Sequence, residues 1–346
     1  MKYKFYTTSE KAWDAMIEAI AGAKKSIFIE MYIFVDNTEQ YDFFKILEEK
    51  AKDGVKVKII IDSFGSLELS RKTIASLKST GAELLFFSYW LRRTHKKILV
   101  VDEEIAFLGG VNIDKLFRKW IDLQMSFTGP LVKAVIGSFA KSYQMCGGKD
   151  PEVLAYRKKK KNMEKTDLRF LGRQHLKEKN IFKRHYKKRL ERAEKSIVIV
   201  SPYFVPQRWL IGVLHQAVLR GVGVEILLPR QADHLIFDRA NYFYISKCHN
   251  LGIKFYLQTE MLHAKAMVID GSEGMVGSQN IDPFSFSYNL EAGVFFNDEE
   301  MIKDLEKIIN DWKSSSVIFK PEMYKMVWFD YLLASVIRIA QSIFKF

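Results

Sequence analysis

The sequence predicts an α/β protein made of two similar lobes, each an α-β-α sandwich with a mixed, largely parallel sheet, related by pseudo-twofold symmetry. The chain has 346 residues, which suits two domains of ordinary size, and 48% of them are hydrophobic, enough to form two cores. Helical and strand patterns alternate along the chain, as they do in proteins with parallel strands. The chain also repeats itself, and a repeat predicts that the two lobes share one fold.

The repeat is visible in two pairs of segments. The stretch "AKKSIFIEMYIF" at 23–34 returns as "AEKSIVIVSPYF" at 193–204, and "DGVKVKIIID" at 53–62 returns as "RGVGVEILLP" at 220–229. Each copy reads as the end of a helix, a buried strand, a second helix and a further buried strand. We therefore expect one lobe over residues 1–156 and a second over residues 183–320.

Two segments lie outside these lobes. Residues 157–182 are predicted to form a basic linker, because 17 lysines and arginines fall between Arg157 and Lys195. This charge is either a solvated face or a contact for acidic lipid headgroups, and we favour the second. Residues 321–346 are apolar but interrupted by Asp330 and Arg338, which disfavours a membrane span. They predict an amphipathic helix that lies in a membrane interface or packs on its own domain.

The composition narrows the partners and the compartment. A formal net charge of +13 predicts a polyanionic partner, and both nucleic acid and anionic lipid qualify. The two cysteines, Cys146 and Cys248, form no disulfide framework, which favours a reducing, cytosolic-facing location. The polar N-terminal stretch "MKYKFYTTSEKAWD" predicts neither a signal peptide nor a membrane span.

One motif of chemical interest occurs once in each lobe. The order is His, any residue, Lys, four residues, Asp, six residues, Gly followed by Gly or Ser, any residue, Asn. The first motif (95–112) contains His95, Lys97, Asp102, Gly109, Gly110 and Asn112, and the second motif (263–280) contains His263, Lys265, Asp270, Gly277, Ser278 and Asn280. Because strand side chains alternate, each histidine shares a face with its lysine, whereas Lys96 points to the other face.

This set of side chains, present twice, fits chemistry on a phosphodiester. A catalyst must neutralise the phosphate oxygens, provide a nucleophile and protonate the departing alkoxide. Lysine and asparagine donors suit the first task. One imidazole can attack phosphorus while the other acts as general acid and then general base, provided that both reach one phosphate. Neither a metal-ligand motif nor a nucleotide-phosphate loop is present, so we expect no metal, nucleotide or other cofactor.

Four carboxylates accompany the histidines. Asp102 and Asp270 belong to the motif and are counted in the catalytic set, although their positions after a strand favour fixing a turn. Asp122 lies 27 residues beyond His95, and Glu291 lies 28 beyond His263. We predict that each of this second pair orients the histidine of its own lobe through the ring nitrogen remote from phosphorus.

The doubled motif resembles the signature of the phospholipase D superfamily. Within it the chain is similar to bacterial cardiolipin synthases over residues 10 to 312, through "YIFVDN" (32–37), "GGVNI" (109–113), "SPYFVP" (201–206), "LLPRQADH" (227–234) and "GSQNIDPFSFSYNLEA" (277–292). The resemblance implies the phospholipase D fold and transfer of a phosphatidyl group between two phosphatidylglycerol molecules, giving cardiolipin and glycerol. It implies His95 as the nucleophile and His263 as the general acid.

The resemblance and the motifs together give a set of expected sites and partners. The expected phosphate-binding residues are Lys97, Asn112, Lys265, Ser278 and Asn280. The expected partner is anionic phospholipid at the cytoplasmic face of the membrane, with peripheral attachment and no nucleic acid. Long members of the synthase group carry N-terminal spans, which this sequence lacks, so attachment is expected to come from basic or aromatic surfaces. Hydrolysis, transfer to another alcohol such as serine and, more distantly, nuclease activity remain alternatives.

Overall fold

The computed structural model describes residues 1–157, 168–172, 181–233 and 235–343. The chain divides into two compact units. The first contains residues 1–178, 276–278 and 289–294, and the second contains residues 179–275, 279–288 and 295–346. The division therefore does not follow the order of the chain, because two short segments after the second motif belong to the first unit.

The first unit contains a seven-stranded mixed sheet. Its elements are β1 (Tyr3–Thr8), α1 (Ser9–Gly22), β2 (Ser26–Met31), α2 (Phe43–Lys52), β3 (Lys56–Asp62), α3 (Arg71–Ser79), β4 (Glu83–Phe87), β5 (Lys97–Val101), β6 (Ile105–Gly109), a 3₁₀ turn (Lys115–Phe117), β7 (Ile121–Thr128), α4 (Leu131–Met145), α5 (Pro151–Ala155) and β8 (Leu168–Gly172). The strand order is β1-β7-β6-β5-β2-β3-β4. Strands β2, β3 and β4 are parallel, and the other pairs are antiparallel.

Local sequence explains how this unit begins. The Thr8 hydroxyl accepts a hydrogen bond from the backbone N–H of Lys11 and so caps α1. Trp13, Met16 and Ile20 recur at helical spacing and are fully buried, so one face of α1 joins the core. The indole of Trp13 also donates to the backbone carbonyl of Asn112, 2.9 Å away, which ties this helix to the end of the first motif.

The second unit repeats this order of helices and strands. Its elements are α6 (Ile181–Leu190), β9 (Ser196–Val200), α7 (Arg208–Leu219), β10 (Gly223–Pro229), α8 (Leu235–His249), β11 (Lys254–Gln258), β12 (Ala266–Ile269), β13 (Glu273–Gly277), α9 (Pro283–Ser287), β14 (Ala292–Phe296), α10 (Glu299–Ser314), β15 (Ser316–Ile318), a 3₁₀ turn (Pro321–Met323) and α11 (Trp328–Ile343). Within the unit the strands run in the order β15-β11-β10-β9-β12. The C-terminal parts of β13 and the first residues of β14 belong to the first unit.

The strand registers confirm the repeat. In the first unit β2 is parallel to β3 and antiparallel to β5, with Met31 opposite Lys97. In the second unit β9 is parallel to β10 and antiparallel to β12, with Val200 opposite Ala266. Each motif therefore enters the strand that lies beside the first repeated strand, and the predicted mixed α/β fold is confirmed.

The structure changes one prediction about the segments between and after the lobes. Within the predicted linker, 157–182, residues Leu168–Gly172 form β8, which packs against α4 and has Phe170 and Leu171 buried. Residues 158–167 and 173–180 of that linker lie outside the described part of the chain. The predicted C-terminal helix is present as α11. In the described ranges, no helix combines the length and the apolar character that crossing a membrane requires.

Candidate active site

His95 is held just before β5 by a neighbouring segment of the first unit. Its backbone N–H donates to the carbonyl of Leu290 at 2.9 Å, and the N–H of Leu290 donates to the carbonyl of Arg93 at 2.9 Å. The ring of Tyr32 stands edge-on to the imidazole, with 4.9 Å between centroids. Backbone and ring contacts thus fix both the position and the plane of the imidazole, which is almost fully buried.

The carboxylate of Glu291 contacts this imidazole. Its two oxygens lie 3.1 and 3.2 Å from Nδ1 of His95, and the Glu291 side chain is completely buried. A carboxylate at Nδ1 favours the tautomer with its proton on Nδ1, in which the nucleophilic lone pair is on Nε2. The predicted pairing of Glu291 with His263 is therefore wrong, because this carboxylate serves the histidine of the other motif. The physical reason is that residues 289–294 pack in the first unit.

The same finding corrects the assignment made for Asp122. Glu291 occupies the position at Nδ1 of His95 that was predicted for Asp122. Asp122 is buried, and its Oδ1 accepts the backbone N–H of Leu123 at 2.7 Å. Gly110 is packed against this carboxylate, since an added Cβ would lie 2.1 Å from Asp122 Oδ1. A glycine is therefore required at position 110 because the backbone packs closely against a buried carboxylate.

Ser278 holds Glu291 rather than a phosphate. Its hydroxyl donates to Glu291 Oε2 at 2.5 Å and accepts the backbone N–H of Ala292 at 3.1 Å. The predicted phosphate-binding role of Ser278 is thereby corrected, because the hydroxyl is used to orient the carboxylate that orients His95. Sequence alignment of the two motifs cannot show this, since the equivalent position in the first motif is Gly110.

The two motif lysines have the same local arrangement. Lys97 Nζ donates to the carbonyl of His95 at 2.8 Å, and Lys265 Nζ donates to the carbonyl of His263. Both side chains are fully buried, and Lys97 Nζ lies 5.1 Å from the centroid of the Tyr32 ring. An ammonium has three N–H donors and carries a positive charge, which is the chemistry that a phosphate oxygen requires. The predicted sharing of a face by histidine and lysine is consistent with these contacts.

Lys96 points away from Lys97 into a buried polar network that the motifs did not reveal. Its ammonium donates to Ser138 and Ser142 of α4 at 3.0 and 2.9 Å and lies 3.3 Å from Glu30 Oε2. The hydroxyl of Thr94 donates to the other Glu30 oxygen at 2.6 Å. Glu30 interrupts the apolar run of β2, and this was the signal in the sequence for a buried partner.

A second buried carboxylate, that of Asp62, holds the backbone of Thr94. Its carboxylate accepts the backbone N–H groups of Phe64 and Gly65 at 3.0 Å and that of Thr94 at 2.8 Å. Burial raises the pKa of this carboxyl above its ordinary value, although the three N–H donors oppose the rise. The residue before His95 is thus fixed by two carboxylates, one at its backbone and one at its hydroxyl.

The two motif asparagines occupy equivalent buried positions. In the described ranges, the side-chain carbonyl oxygens of Asn112 and Asn280 lack hydrogen-bond partners. Their backbones are held, with the Asn112 carbonyl bonded to Trp13 and the Asn280 N–H donating to Ser285 Oγ at 3.3 Å. A buried amide without a partner is costly unless a ligand or water completes it. Both amides are therefore suited to contact a bound substrate.

Asp102 and Asp270 have a structural role. Asp102 accepts the backbone N–H groups of residues 24–26, with Oδ1 2.6 Å from the nitrogen of Lys25. Asp270 accepts those of residues 194–196, the repeat equivalents, at 2.7 Å for Lys195. Burial raises the pKa of both carboxyls, but the N–H donors outweigh it and hold each pKa below its ordinary value. Their inclusion in the catalytic set is corrected, and the expectation that they fix a turn agrees with these contacts.

We expect Asp102→Ala to lower the free energy of unfolding by about 1–3 kcal/mol, because the backbone N–H groups of residues 24–26 lose a charged acceptor. Urea unfolding at neutral pH measures the loss, and Asp270→Ala serves as the matched variant in the other unit. Because the native pKa is depressed, the stabilisation is complete above the unfolded value of about 3.9 and is lost as the pH falls below it. Unchanged unfolding combined with lost turnover would instead assign Asp102 to catalysis.

Neither cysteine of the chain is suited to act as a thiol nucleophile. Burial raises the pKa of both Cys146 and Cys248 to about 12, so neither forms a thiolate readily. Among the residues that the structure describes, no three histidine, cysteine or acidic side chains are grouped as metal ligands. The groups of the two motifs that the structure describes are imidazole, ammonium and amide, with the Glu291 carboxylate beside His95.

Comparison with known families decides the class of the chain. The family model described as cardiolipin synthase, phospholipase D-like domain, matches residues 16–117 and 186–312, which include both motifs. The chain belongs to this family. It is an enzyme of the cardiolipin synthase type, and the resemblance seen in its motifs is confirmed.

Individual relatives agree with the family match. A cardiolipin synthase of Clostridium perfringens (strain 13) is 32% identical over 328 residues, covering 87% of this chain and 68% of the relative. A probable cardiolipin synthase of Bacillus subtilis is 29% identical, covering 88% of this chain and 64% of the relative. A cardiolipin synthase of Listeria monocytogenes is 27% identical, covering 95% of this chain and 72% of the relative.

Two solved structures share the fold. A phosphatidylserine synthase of Haemophilus influenzae superposes with a TM-score of 0.76 at 16% identity, covering 99% of this chain and 93% of that one. A polyphosphate kinase of Porphyromonas gingivalis superposes with a TM-score of 0.63 at 14% identity, covering 99% and 53%. At these identities the similarity shows the phospholipase D fold of this cardiolipin synthase family member and nothing about its substrate.

Proposed function

We propose that the chain transfers a phosphatidyl group from one phosphatidylglycerol to a hydroxyl of another, forming cardiolipin and releasing glycerol. The observation that carries this is the buried carboxylate of Glu291 at Nδ1 of His95, which prepares Nε2 as a nucleophile. Relatives named cardiolipin synthase, at 27–32% identity, support the choice of phospholipid as substrate.

The reaction proceeds in two displacements at phosphorus. In the first, Nε2 of His95 forms a bond to phosphorus, the bond from phosphorus to the glycerol oxygen breaks, and His263 gives that oxygen its proton. In the second, a hydroxyl of the incoming phosphatidylglycerol gives its proton to His263, its oxygen bonds to phosphorus, and the bond to His95 breaks. One phosphodiester replaces another, so the reaction needs no input of energy from a nucleotide.

The lysines and asparagines of the two motifs are assigned to stabilise the negative charge of the phosphate during both steps. Lys97 and Lys265 are assigned to the non-bridging oxygens, where a desolvated ammonium is most effective. Asn112 and Asn280 are assigned to the same phosphate through their side-chain N–H donors. Their side-chain oxygens, which lack partners within the described ranges, are assigned to the glycerol hydroxyls. Both sets are assigned to one phosphodiester because the sequence motif that contains them occurs twice in the chain.

The proposed setting of the reaction is the cytoplasmic face of the cell membrane, with peripheral attachment. The net charge of +13 favours a surface rich in anionic phospholipid. Nucleic acid carries the same kind of charge, and the family of the chain favours lipid over it.

Incubation of the purified chain with phosphatidylglycerol vesicles, followed by mass spectrometry of the lipids and assay of free glycerol, tests the proposal. We expect cardiolipin and glycerol in equal amounts. Phosphatidic acid as the only product would identify a hydrolase, and a serine-dependent product would identify a different acceptor. Parallel incubation with labelled single-stranded DNA covers the remaining alternative, and cleavage of DNA without any lipid product would overturn the proposal.

A further inference from the structure

Helix α11 packs on its own unit through Asp330 and Ala334 and presents apolar side chains outward. Its most buried residue is Asp330, which is 1% exposed and pairs with Arg239 of α8, 2.8 Å away. Four of its exposed apolar residues lie at helical spacing, with 50–75% of each exposed. They are Trp328, Leu332, Val336 and Ile339.

The outward side of α11 differs from that of an ordinary helix on a water-exposed surface. An amphipathic helix normally buries its apolar side and exposes its polar side. Helix α10 of the same unit does so, with Met301, Leu305 and Ile309 buried and its charged residues outward. Helix α11, in contrast, exposes a row of apolar side chains.

The exposed apolar side of α11 continues onto α8. Arg239 packs over the Phe329 ring at 5.5 Å while it pairs with Asp330, and Phe243 contacts the Tyr331 ring at 5.9 Å. The two helices therefore lie side by side with their first turns at the same end. The first turn of α8 adds Leu235 and Ile236, which are 76% and 65% exposed. We call these two residues, together with Trp328, Leu332, Val336 and Ile339, the α11 apolar surface.

The α11 apolar surface lies close to the part of the second unit that follows the second motif. Phe237, in the first turn of α8, packs on the Tyr203 ring at 4.6 Å. The next residue, Phe204, pairs with Ile281, which directly follows Asn280. The backbone N–H of Phe204 also donates to the side-chain oxygen of Asn241 in α8 at 2.7 Å. A few direct contacts thus connect the α11 apolar surface to a residue assigned to substrate.

We propose that the α11 apolar surface inserts into the interface of an anionic phospholipid bilayer and so brings the second motif to the membrane. This inference rests on the proposed function, since phosphatidylglycerol is drawn from such a bilayer. A tryptophan and a tyrosine beside exposed leucine, valine and isoleucine suit the depth of lipid headgroups, where amphipathic rings are favoured. Exposed Arg338 and Lys325 flank the apolar residues and complement anionic headgroups.

A second copy of the chain fits this surface less well. Two copies would bring together molecules that each carry a net charge of +13, whereas anionic lipid has the complementary sign. The bilayer also satisfies the exposed apolar side chains and the flanking cations at the same time. Charge complementarity therefore selects lipid as the occupant.

Cosedimentation of the full chain with vesicles tests the inference, using equal parts of phosphatidylglycerol and phosphatidylcholine. We expect Leu332→Ser/Val336→Ser to weaken vesicle binding by about tenfold or more, because two apolar side chains no longer enter the interface. The matched control is Leu116→Ser/Leu219→Ser, which changes two exposed leucines outside this surface and should leave vesicle binding unchanged. Vesicles of phosphatidylcholine alone should bind the unaltered chain more weakly.

Three results would overturn the inference: equal binding by the two double variants, no vesicle binding by the unaltered chain, or dissociation of an oligomer caused by Leu332→Ser/Val336→Ser in sedimentation without lipid. A labelled variant gives a second measurement that does not depend on losing affinity. An environment-sensitive dye on Leu332→Cys should shift to shorter emission wavelengths on vesicle addition, and the same dye on Leu219→Cys should not. Cardiolipin formation in detergent micelles separates the two proposals, because it tests the reaction without requiring vesicle binding.

Discussion

Replacing His95 by alanine is expected to reduce cardiolipin formation by about 10⁴-fold or more, because the nucleophile of the first displacement is removed. Initial rates with phosphatidylglycerol in detergent micelles measure the effect without the influence of membrane attachment. His215→Ala is the matched control, since this half-exposed histidine of α7 lies outside both motifs, and its rate should equal that of the unaltered chain.

His263→Ala distinguishes the roles of the two histidines. Without its general acid the enzyme still carries the nucleophile, so a donor with a good leaving group should form a phosphohistidine that persists because the acceptor is not deprotonated. Peptide mass spectrometry after alkaline quenching should locate the phosphatidyl group on His95. Its appearance on His263 in the His95→Ala variant would reverse the assignment.

Glu291→Gln is expected to lower kcat by about 10²–10⁴-fold while KM changes little, because an amide can present an N–H to Nδ1 and favour the wrong tautomer of His95. The effect arises through orientation, so Glu291 is a positioning residue. Steady-state rates over a range of phosphatidylglycerol concentrations in micelles separate kcat from KM.

Two further measurements separate positioning from a general structural role. Ser278→Ala removes the hydroxyl that holds Glu291 and should lower kcat by a smaller factor in the same direction. Glu291→Asp retains the charge and should recover part of the activity lost in Glu291→Gln. Normal turnover by a folded Glu291→Gln protein would show that the carboxylate does not prepare the nucleophile.

The polar network behind the first motif explains how so many charges are accommodated close to His95. Glu30 is balanced by Lys96 and by the hydroxyl of Thr94, and Asp62 by three backbone donors. Buried charges are tolerated only when they are paired and hydrogen-bonded, and these are. The network keeps the segment before β5 rigid, which gives the imidazole a fixed position before substrate binds.

The sequence by itself determined the repeat, the family and the separation of Lys96 from Lys97. These features depend on the alternation of side chains along a strand and on spacings within 18 residues, and both can be read from the sequence. It also indicated that Asp102 and Asp270 fix a turn, because each carboxylate directly follows a strand, although their backbone partners lie 74–78 positions away. Local geometry was sufficient for each of these conclusions.

Only the tertiary structure decided which carboxylate serves which histidine, what Ser278 does and which side of α11 faces outward. Glu291 and His95 are separated by 196 positions in the sequence. They are in contact because residues 289–294 pack in the first unit, although the residues on both sides of them belong to the second. The outward side of α11 likewise depends on the packing of Asp330 and Ala334 and on the ion pair between Asp330 and Arg239, which a hydrophobic pattern does not contain. Partner choice over such separations is set by three-dimensional packing, because spacing along the chain constrains only neighbours on the same element.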